Sequence, residues 1–367
     1  MKKTGFGFLR LPRLDAADEK RVDYDLLNRM VDSFLEKGGQ YFDTAYTYLG
    51  GISEEAIRKS LTERHPRNRF LLADKLPGYD VTSYEQCREF FEESLARCGV
   101  DYFDVYMLHW LNRENYVLAE QYEEFRFLQE LKAAGKATRI GFSYHDSPEL
   151  LDEILTVHPE VDLVQLQINY LDWDSPSIQA QACYETAVRH GKRVIIMEPV
   201  KGGTLAALPT EAETLLRDFD PSLSPARLAM QFAHSLPAAE IVLSGMNTLE
   251  QIEQNLKPMP QLSPQEKRLC AEAAALIRSS TAIACTACGY CTGSCPKQIA
   301  IPDYFRLYND CAREPDEDWK IAPVYQGLAL RSGKASDCIS CRQCEQHCPQ
   351  GIEITKWLKK TAEVFEG

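Results

Sequence analysis

The chain has no uninterrupted apolar run approaching the roughly 18 residues that crossing a bilayer requires, so no membrane-spanning helix is expected. Its opening residues, MKKTGFGFLRLPRL, offer two lysines and then short apolar stretches broken by Gly, Pro and Arg, unlike the apolar core of an export signal. Positive charge is in deficit too: 41 Lys and Arg face 54 Asp and Glu, for a formal net charge of -13, and no basic cluster overrides it. Phosphate backbones and anionic lipid would repel such a chain, which argues against nucleic-acid and membrane-surface partners. A soluble, cytoplasmic protein is expected. No GxGxxG opens a helix after the first strand-like run, which disfavours a doubly wound dinucleotide-binding sheet. Of the 13 cysteines, Cys87, Cys98, Cys183, Cys270 and Cys311 lie scattered without the spacing of a disulfide framework, and read as ordinary reduced thiols.

The other eight cysteines are patterned. CxxCxxCxxxCP occurs twice, as Cys285, Cys288, Cys291, Cys295, Pro296 and again as Cys338, Cys341, Cys344, Cys348, Pro349. A cubane 4Fe-4S cluster takes four soft thiolates, and the CxxCxxC turn lets three converge while the fourth comes from elsewhere. Zinc ribbons also use CxxC pairs, but a tetrahedral site has no use for a third cysteine and a CP ending. Two 4Fe-4S clusters are therefore expected. The run resembles that of bacterial ferredoxins, in which the fourth cysteine ligates the other cluster. That resemblance implies one cluster on Cys285, Cys288, Cys291 and Cys348, and a second on Cys338, Cys341, Cys344 and Cys295. The stretch between the two motifs is long for a compact ferredoxin; helical periods over Ile301 to Cys311 and Ala322 to Ser332 would fill it.

Ahead of the clusters, short β-branched or aromatic runs alternate with longer amphipathic stretches, the pattern of a parallel α/β fold. Strands are predicted over Thr4 to Leu9, Tyr41 to Thr44, Phe70 to Leu76, Phe103 to His109, Thr138 to Ser143, Asp162 to Ile168, Arg193 to Glu198 and Glu240 to Gly245. Eight strand and helix units are the number of a (β/α)8 TIM barrel. Helical periods such as Tyr24 to Lys37 and Tyr84 to Cys98 end near glycines (Gly38, Gly99, and likewise Gly135 and Gly191) placed as C-terminal caps. Ser263, Pro264 and Glu266 form an N-cap, N1 proline and capping carboxylate for a helix to about Ser279. The expected organisation is a barrel over residues 1–262, a connecting helix over 263–284 and a small, mostly helical ferredoxin-like domain over 285–367.

Barrel enzymes carry their chemistry at the C-terminal ends of the strands. There the chain places Asp43 after the second strand, Lys75 on the third and His109 on the fourth, with Tyr48 in the loop after Asp43. These four suit carbonyl reduction. A nearby ammonium would lower the pKa of the Tyr48 phenol, Asp43 would balance and orient the lysine, and His109 could hydrogen-bond the substrate oxygen. Trp110, Tyr170 and Trp173 are candidates for an apolar pocket mouth, and Arg10 for an anionic substrate group.

The segments GGQYFDTAYTY (38–48), LLADKL (71–76), DYFDVYMLHW (101–110) and RIGFS (139–143) resemble the aldo/keto reductase family, and TGFGFLRLP (4–12) resembles its first strand. The resemblance implies a catalytic tetrad of Asp43, Tyr48, Lys75 and His109, with Tyr48 as general acid and hydride from NADPH. It implies nicotinamide contacts from Ser143 and Gln165, although Tyr144 stands where the family usually has Asn. In IIMEPVKGG (195–203), Met197 takes the place of a stacking aromatic ring, and Gly202 lies in the pyrophosphate loop. In LSGMNTLEQIEQNL (243–256), Gly245, Met246, Asn247, Gln251 and Asn255 fall on adenosine phosphate positions, without the Lys and Arg that would select a 2′-phosphate, so NADP(H) is favoured only slightly over NAD(H).

PKQIAIPDYFRLYND (296–310) and GKASDCISCRQCEQHCPQGIEI (333–354) resemble a subfamily that fuses such a barrel to two clusters. Clusters move single electrons whereas hydride transfer moves two, and a flavin would normally bridge them. No flavin fingerprint is present, though strand-end loops can hold a flavin without one. Three readings stay open at this point. The clusters could relay electrons between the barrel site and an external carrier such as ferredoxin; they could be structural or sensing parts of an ordinary NADPH carbonyl reductase; or the chain could be a non-catalytic electron-transfer subunit.

Overall fold

The computed structural model describes residues 2–15, 18, 20–175, 178–313 and 318–367. Eight parallel strands close into a barrel in sequence order: β1 Thr4–Gly7, β2 Tyr41–Asp43, β3 Leu71–Leu76, β4 Phe103–Leu111, β5 Ala137–Tyr144, β6 Leu163–Gln167, β7 Arg193–Met197 and β8 Ala239–Gly245, which pairs back onto β1. All eight predicted strands are present, with no end shifted by more than two residues. The helices Tyr24–Glu36 and Tyr84–Cys98 also form as expected, and Gly38, Gly99, Gly135 and Gly191 all take left-handed backbone angles.

Side chains alternate across each strand, so every second residue points into the barrel. A layer built from Tyr41, Ala73, Val105, Met107, Leu163, Ile195, Ile241 and Leu243 fills the interior. The barrel closes tightly enough that a Cβ on Gly141 would lie 2.2 Å from the carbonyl oxygen of Leu163 on the next strand. That closeness, rather than flexibility, requires glycine there.

The chain divides into two compact units: Met1–Asp174, Gln179–Pro199 and Ala229–Leu262 form one, and Ser175–Ile178, Val200–Leu228 and Ser263–Gly367 form the other. The principal break falls at Leu262/Ser263, and the segment Val200–Leu228 groups with the C-terminal unit. Within that unit Lys201 Nζ donates to Gln350 Oε1 at 2.8 Å, both residues being buried. Helix Pro264–Ser280 begins with the expected capping box, in which the Glu266 backbone N–H donates to Ser263 Oγ and the Ser263 N–H to Glu266 Oε2.

The cysteine region is an internal repeat. Short helices Tyr290–Gly293 and Gln343–Gln346 bury Cys291 and Cys344, and the longer helices Ile301–Arg313 and Ile354–Phe365 follow at one constant offset. The left-handed backbone positions repeat in the same register: Ala287 with Ser340, Gly289 with Arg342, and Gln298 with Gly351. Between the halves lies helix Asp318–Ala329, and a single parallel bridge joins Ile299 to Gly333. A Cβ on Gly333 would meet the Lys297 carbonyl oxygen at 2.1 Å, so this contact too is open only to glycine. Cys291, Cys344, Tyr304, Phe305, Tyr325 and Leu358 pack in its core.

Candidate active site and cysteine cavities

The alternation that fills the barrel also builds the site. One inward step past the apolar layer, Tyr41 leads to Asp43, Ala73 to Lys75, Met107 to His109, Gly141 to Ser143, Leu163 to Gln165, Ile195 to Met197 and Leu243 to Gly245. Register brings neighbours side by side: Ser143 pairs with Gln165, and Gly7 pairs with both Asp43 and Gly245. Sequence reasoning overlooked Gly7, which places no side chain in this layer.

Lys75 is completely buried and donates from Nζ to Asp43 Oδ1 and to the Thr44 carbonyl oxygen, each at 2.7 Å. Its ammonium also lies 4.9 Å from the centre of the Tyr48 ring. The Tyr48 ring meets the His109 imidazole edge to face at 5.5 Å, which brings the four expected residues into one site. Asp43 Oδ2 and His109 Nδ1 are buried without a hydrogen-bond partner. Burial raises the pKa of the Asp43 carboxyl, against the pull of Lys75. Burial, then the Lys75 charge, holds the His109 imidazole well below its usual range, so it is neutral at physiological pH.

Tyr48 departs from expectation. Its phenol is pushed well above the ordinary tyrosine range, by burial first and then by the Asp43 carboxylate. Lys75 cannot reverse this because its charge is spent on Asp43 and the Thr44 carbonyl while it rests over the ring. The consequence is a phenol that stays protonated at neutral pH and so remains available as a donor.

Tyr79, on the turn after β3, was not anticipated. Its ring lies 5.9 Å from His109 and 6.0 Å from Trp110, and its hydroxyl is 3.1 Å from Thr47 Oγ1. Only its position just past Lys75 in LPGYD could have signalled it. A register shift between Leu108 and Leu111, with Trp110 at φ 58°, breaks the β4–β5 ladder beside His109. Of the other residues expected at the mouth, Trp110 and Tyr170 are buried, while Trp173 packs 5.5 Å from Phe232.

The nucleotide candidates divide by what they already bind. Gln165 donates from Nε2 to Met197 Sδ at 3.4 Å, and its Oε1 is a buried acceptor without a partner, suited to an incoming amide N–H. Ser143 Oγ accepts the Trp110 backbone N–H at 2.7 Å and keeps its own proton to donate. At the end of β8, Gly245 and Asn247 are exposed, whereas the Met246 side chain is fully buried. Gln251 Oε1 accepts the Asn247 backbone N–H at 2.7 Å and completes a capping box on Leu249–Asn255; Asn255 Nδ2 donates to Ser244 Oγ at 3.1 Å. Gly202 lies in the segment grouped with the C-terminal unit, at φ 63°.

In the C-terminal unit the motif cysteines gather around two cavities. Cys285, Cys288, Cys291 and Cys348 line one. Cys295, Cys338, Cys341 and Cys344 line the other. These are the two crossed sets implied by the ferredoxin resemblance. Burial, followed by the neighbouring Cys288, Cys285 and Cys348, raises the Cys291 thiol; burial, Glu345 and the thiols Cys338 and Cys295 push Cys344 up to about 12. Four such sulfurs lose their protons together only in exchange for a cation, so the donor set fits an iron cluster. Cys87, Cys98, Cys183 and Cys270 are buried free thiols away from these cavities.

Known proteins match in the same two parts. The family model described as "Aldo/keto reductase family" matches residues 5–275, and that described as "4Fe-4S dicluster domain" matches residues 284–353. An aldo-keto reductase of Mycolicibacterium smegmatis is 27% identical over 229 residues, spanning 56% of this chain and 77% of that protein. The NADH-specific methylglyoxal reductase of Escherichia coli is 26% identical over 211 residues, 52% of this chain and 60% of that protein. The solved aldo-keto reductase of Klebsiella pneumoniae in complex with NADPH superposes with a TM-score of 0.58 at 18% identity, covering 76% of this chain and 91% of that one, a likeness of fold.

Proposed function

This chain belongs to the aldo/keto reductase family and carries a 4Fe-4S dicluster domain, and from that premise we propose that it is an NAD(P)H-linked reductase of a carbonyl-type substrate whose clusters exchange electrons with an external carrier. The observation that carries the barrel reading is the convergence of Asp43, Lys75, Tyr48 and His109 around one buried ion pair. A nicotinamide bound at this site would supply the hydride. Its carboxamide would be held by Gln165 Oε1 and Ser143 Oγ, with Met197 packed beside it and Gly245, Asn247, Gln251 and Asn255 toward the phosphates. The Met246 side chain belongs to the core, which leaves only its backbone for that role.

The chain's own groups then divide the remaining work. Neutral His109 donates an N–H to the substrate carbonyl oxygen and orients it. Tyr48 gives its proton to that oxygen as negative charge develops there, with the buried Lys75 ammonium over its ring face. Asp43 holds Lys75 in place through the 2.7 Å bond. Trp110 and Tyr79 wall the site and exclude water.

For the clusters, the supporting observation is that each crossed set of four cysteines lines a single cavity. Cys285, Cys288, Cys291 and Cys348 would hold the first, and Cys295, Cys338, Cys341 and Cys344 the second, each passing one electron at a time.

Tyr48→Phe tests the barrel assignment: carbonyl reduction should fall on the order of 1,000-fold with nucleotide affinity almost unchanged. Undiminished turnover would exclude Tyr48 as the acid. Replacing Cys341 by Ala and assaying with NADPH alone tests the relay, because unchanged reduction in folded protein would make the clusters dispensable to the barrel chemistry.

A further inference from the structure

The two cysteine cavities differ in a way that assigns them different roles, and this rests on the reading that both hold 4Fe-4S clusters. The first is lined by buried Thr286, Cys291 and Gln350, by the apolar Phe305 and Ile354 and by the exposed His347, and among the described residues no lysine or arginine lines it. The second has an exposed ligand. Cys341 is the one exposed cysteine of the chain's described residues, beside it Ile339 is 59% exposed, and Lys297 and Arg342 line the same cavity with their side chains exposed.

The chain segment that carries this exposed cysteine is richer in basic than acidic residues. In a chain of net charge -13, the stretch from Arg331 to Lys360 carries Arg331, Lys334, Arg342, Lys356, Lys359 and Lys360 against Asp337, Glu345 and Glu353. Those three carboxylates are engaged locally. Asp337 accepts the Lys334 backbone N–H, Glu345 Oε1 accepts from the Thr355 backbone N–H and hydroxyl, and Glu353 pairs with Lys356 at 2.6 Å.

From this we infer that the second cavity is the electron port, and that the face formed by Ile339, Cys341, Arg342 and Lys297 docks a small acidic one-electron carrier protein of the iron–sulfur type. An exposed ligand brings the partner's centre near the cluster. One apolar residue within a basic rim is suited to a brief, electrostatically steered encounter rather than a lasting complex. The step would be a single electron: the carrier would be oxidised by one electron and a cluster held by Cys295, Cys338, Cys341 and Cys344 would take that electron up, with no proton or bond exchanged. The net negative charge elsewhere turns an acidic partner away from the remaining surface.

The test is calorimetric binding of the anaerobically purified holoprotein to a small acidic ferredoxin. Wild-type affinity should fall about tenfold between 50 and 300 mM salt, and the Lys297→Glu, Arg342→Glu double variant should bind at least about tenfold more weakly at low salt. The variant's iron content, absorption near 400 nm and reduction by methyl viologen should match wild type, which separates loss of docking from loss of clusters. Equal affinity of the two proteins, or a wild-type affinity indifferent to salt, overturns the port. An Ile339→Asp variant supplies a check that leaves the basic side chains intact: it should also weaken binding, and affinity equal to wild type would remove that face from the interface.

Discussion

The barrel site and the cysteine cavities satisfy their buried polar groups in opposite ways. In the barrel, Lys75 is matched by Asp43 and the Thr44 carbonyl, so the most costly buried charge is compensated by the protein itself. In the C-terminal unit eight sulfurs are drawn into two small spaces where ionisation of each opposes ionisation of the next. Only a cation makes that arrangement favourable. With iron bound, the cluster unit would take part of its folding energy from the metal, whereas the barrel's buried ion pair needs no ligand to be compensated.

The sharpest way to break this contrast is to remove the iron. Anaerobic chelation should abolish hydrogen-exchange protection in the helices Ile301–Arg313 and Ile354–Phe365 while leaving the eight barrel strands protected; loss of both together would mean that the two units fold as one. Next in size is Lys75→Met, which strands the buried Asp43 carboxyl. It should destabilise the barrel by about 3–5 kcal/mol in denaturant titrations, with iron content unchanged. A barrel as stable as wild type would show that the Lys75–Asp43 pair does not hold it together.

A third test concerns pH. Glu124 is 1% exposed, and a Cβ on Gly78, in the turn that carries Tyr79, would meet its Oε2 at 2.2 Å. Burial raises its pKa from 4.5 to about 8. The folded group thus keeps a proton that the unfolded chain has lost. Its contribution to stability is full below about pH 4.5 and drains away as pH rises through 8. Glu124→Gln should flatten that dependence and stabilise the barrel by on the order of 2 kcal/mol at pH 8.5, read from urea midpoints at several pH values. An unchanged slope would place the titration elsewhere. Smallest is Ser263→Ala, which removes the capping box of helix Pro264–Ser280 and should cost about 1 kcal/mol in the C-terminal unit's thermal transition.

Much of the site was legible because strand ends and the family's motifs coincide: Asp43, Lys75 and His109 all stand at the close of apolar runs, where alternation points them inward. Gly7 and Tyr79 were not legible. The first matters for the side chain it lacks, and the second reaches the site only because the turn after β3 folds over His109. The direction of the Tyr48 shift was missed for a related reason. Proximity in a motif suggests a lysine beside a phenol, but burial and the placement of Lys75 over the ring, with its donors committed to Asp43, outweigh that proximity.

By itself, then, the order of residues determined the barrel count, the strand-end positions of Asp43, Lys75 and His109 and the two ferredoxin-type runs, because strand alternation and thiolate spacing are local regularities written directly into the chain. Tertiary structure alone decided which motif cysteine is exposed and which polar atoms are left without partners. Those properties depend on what residues far apart in sequence bring together, and on how much water remains between them.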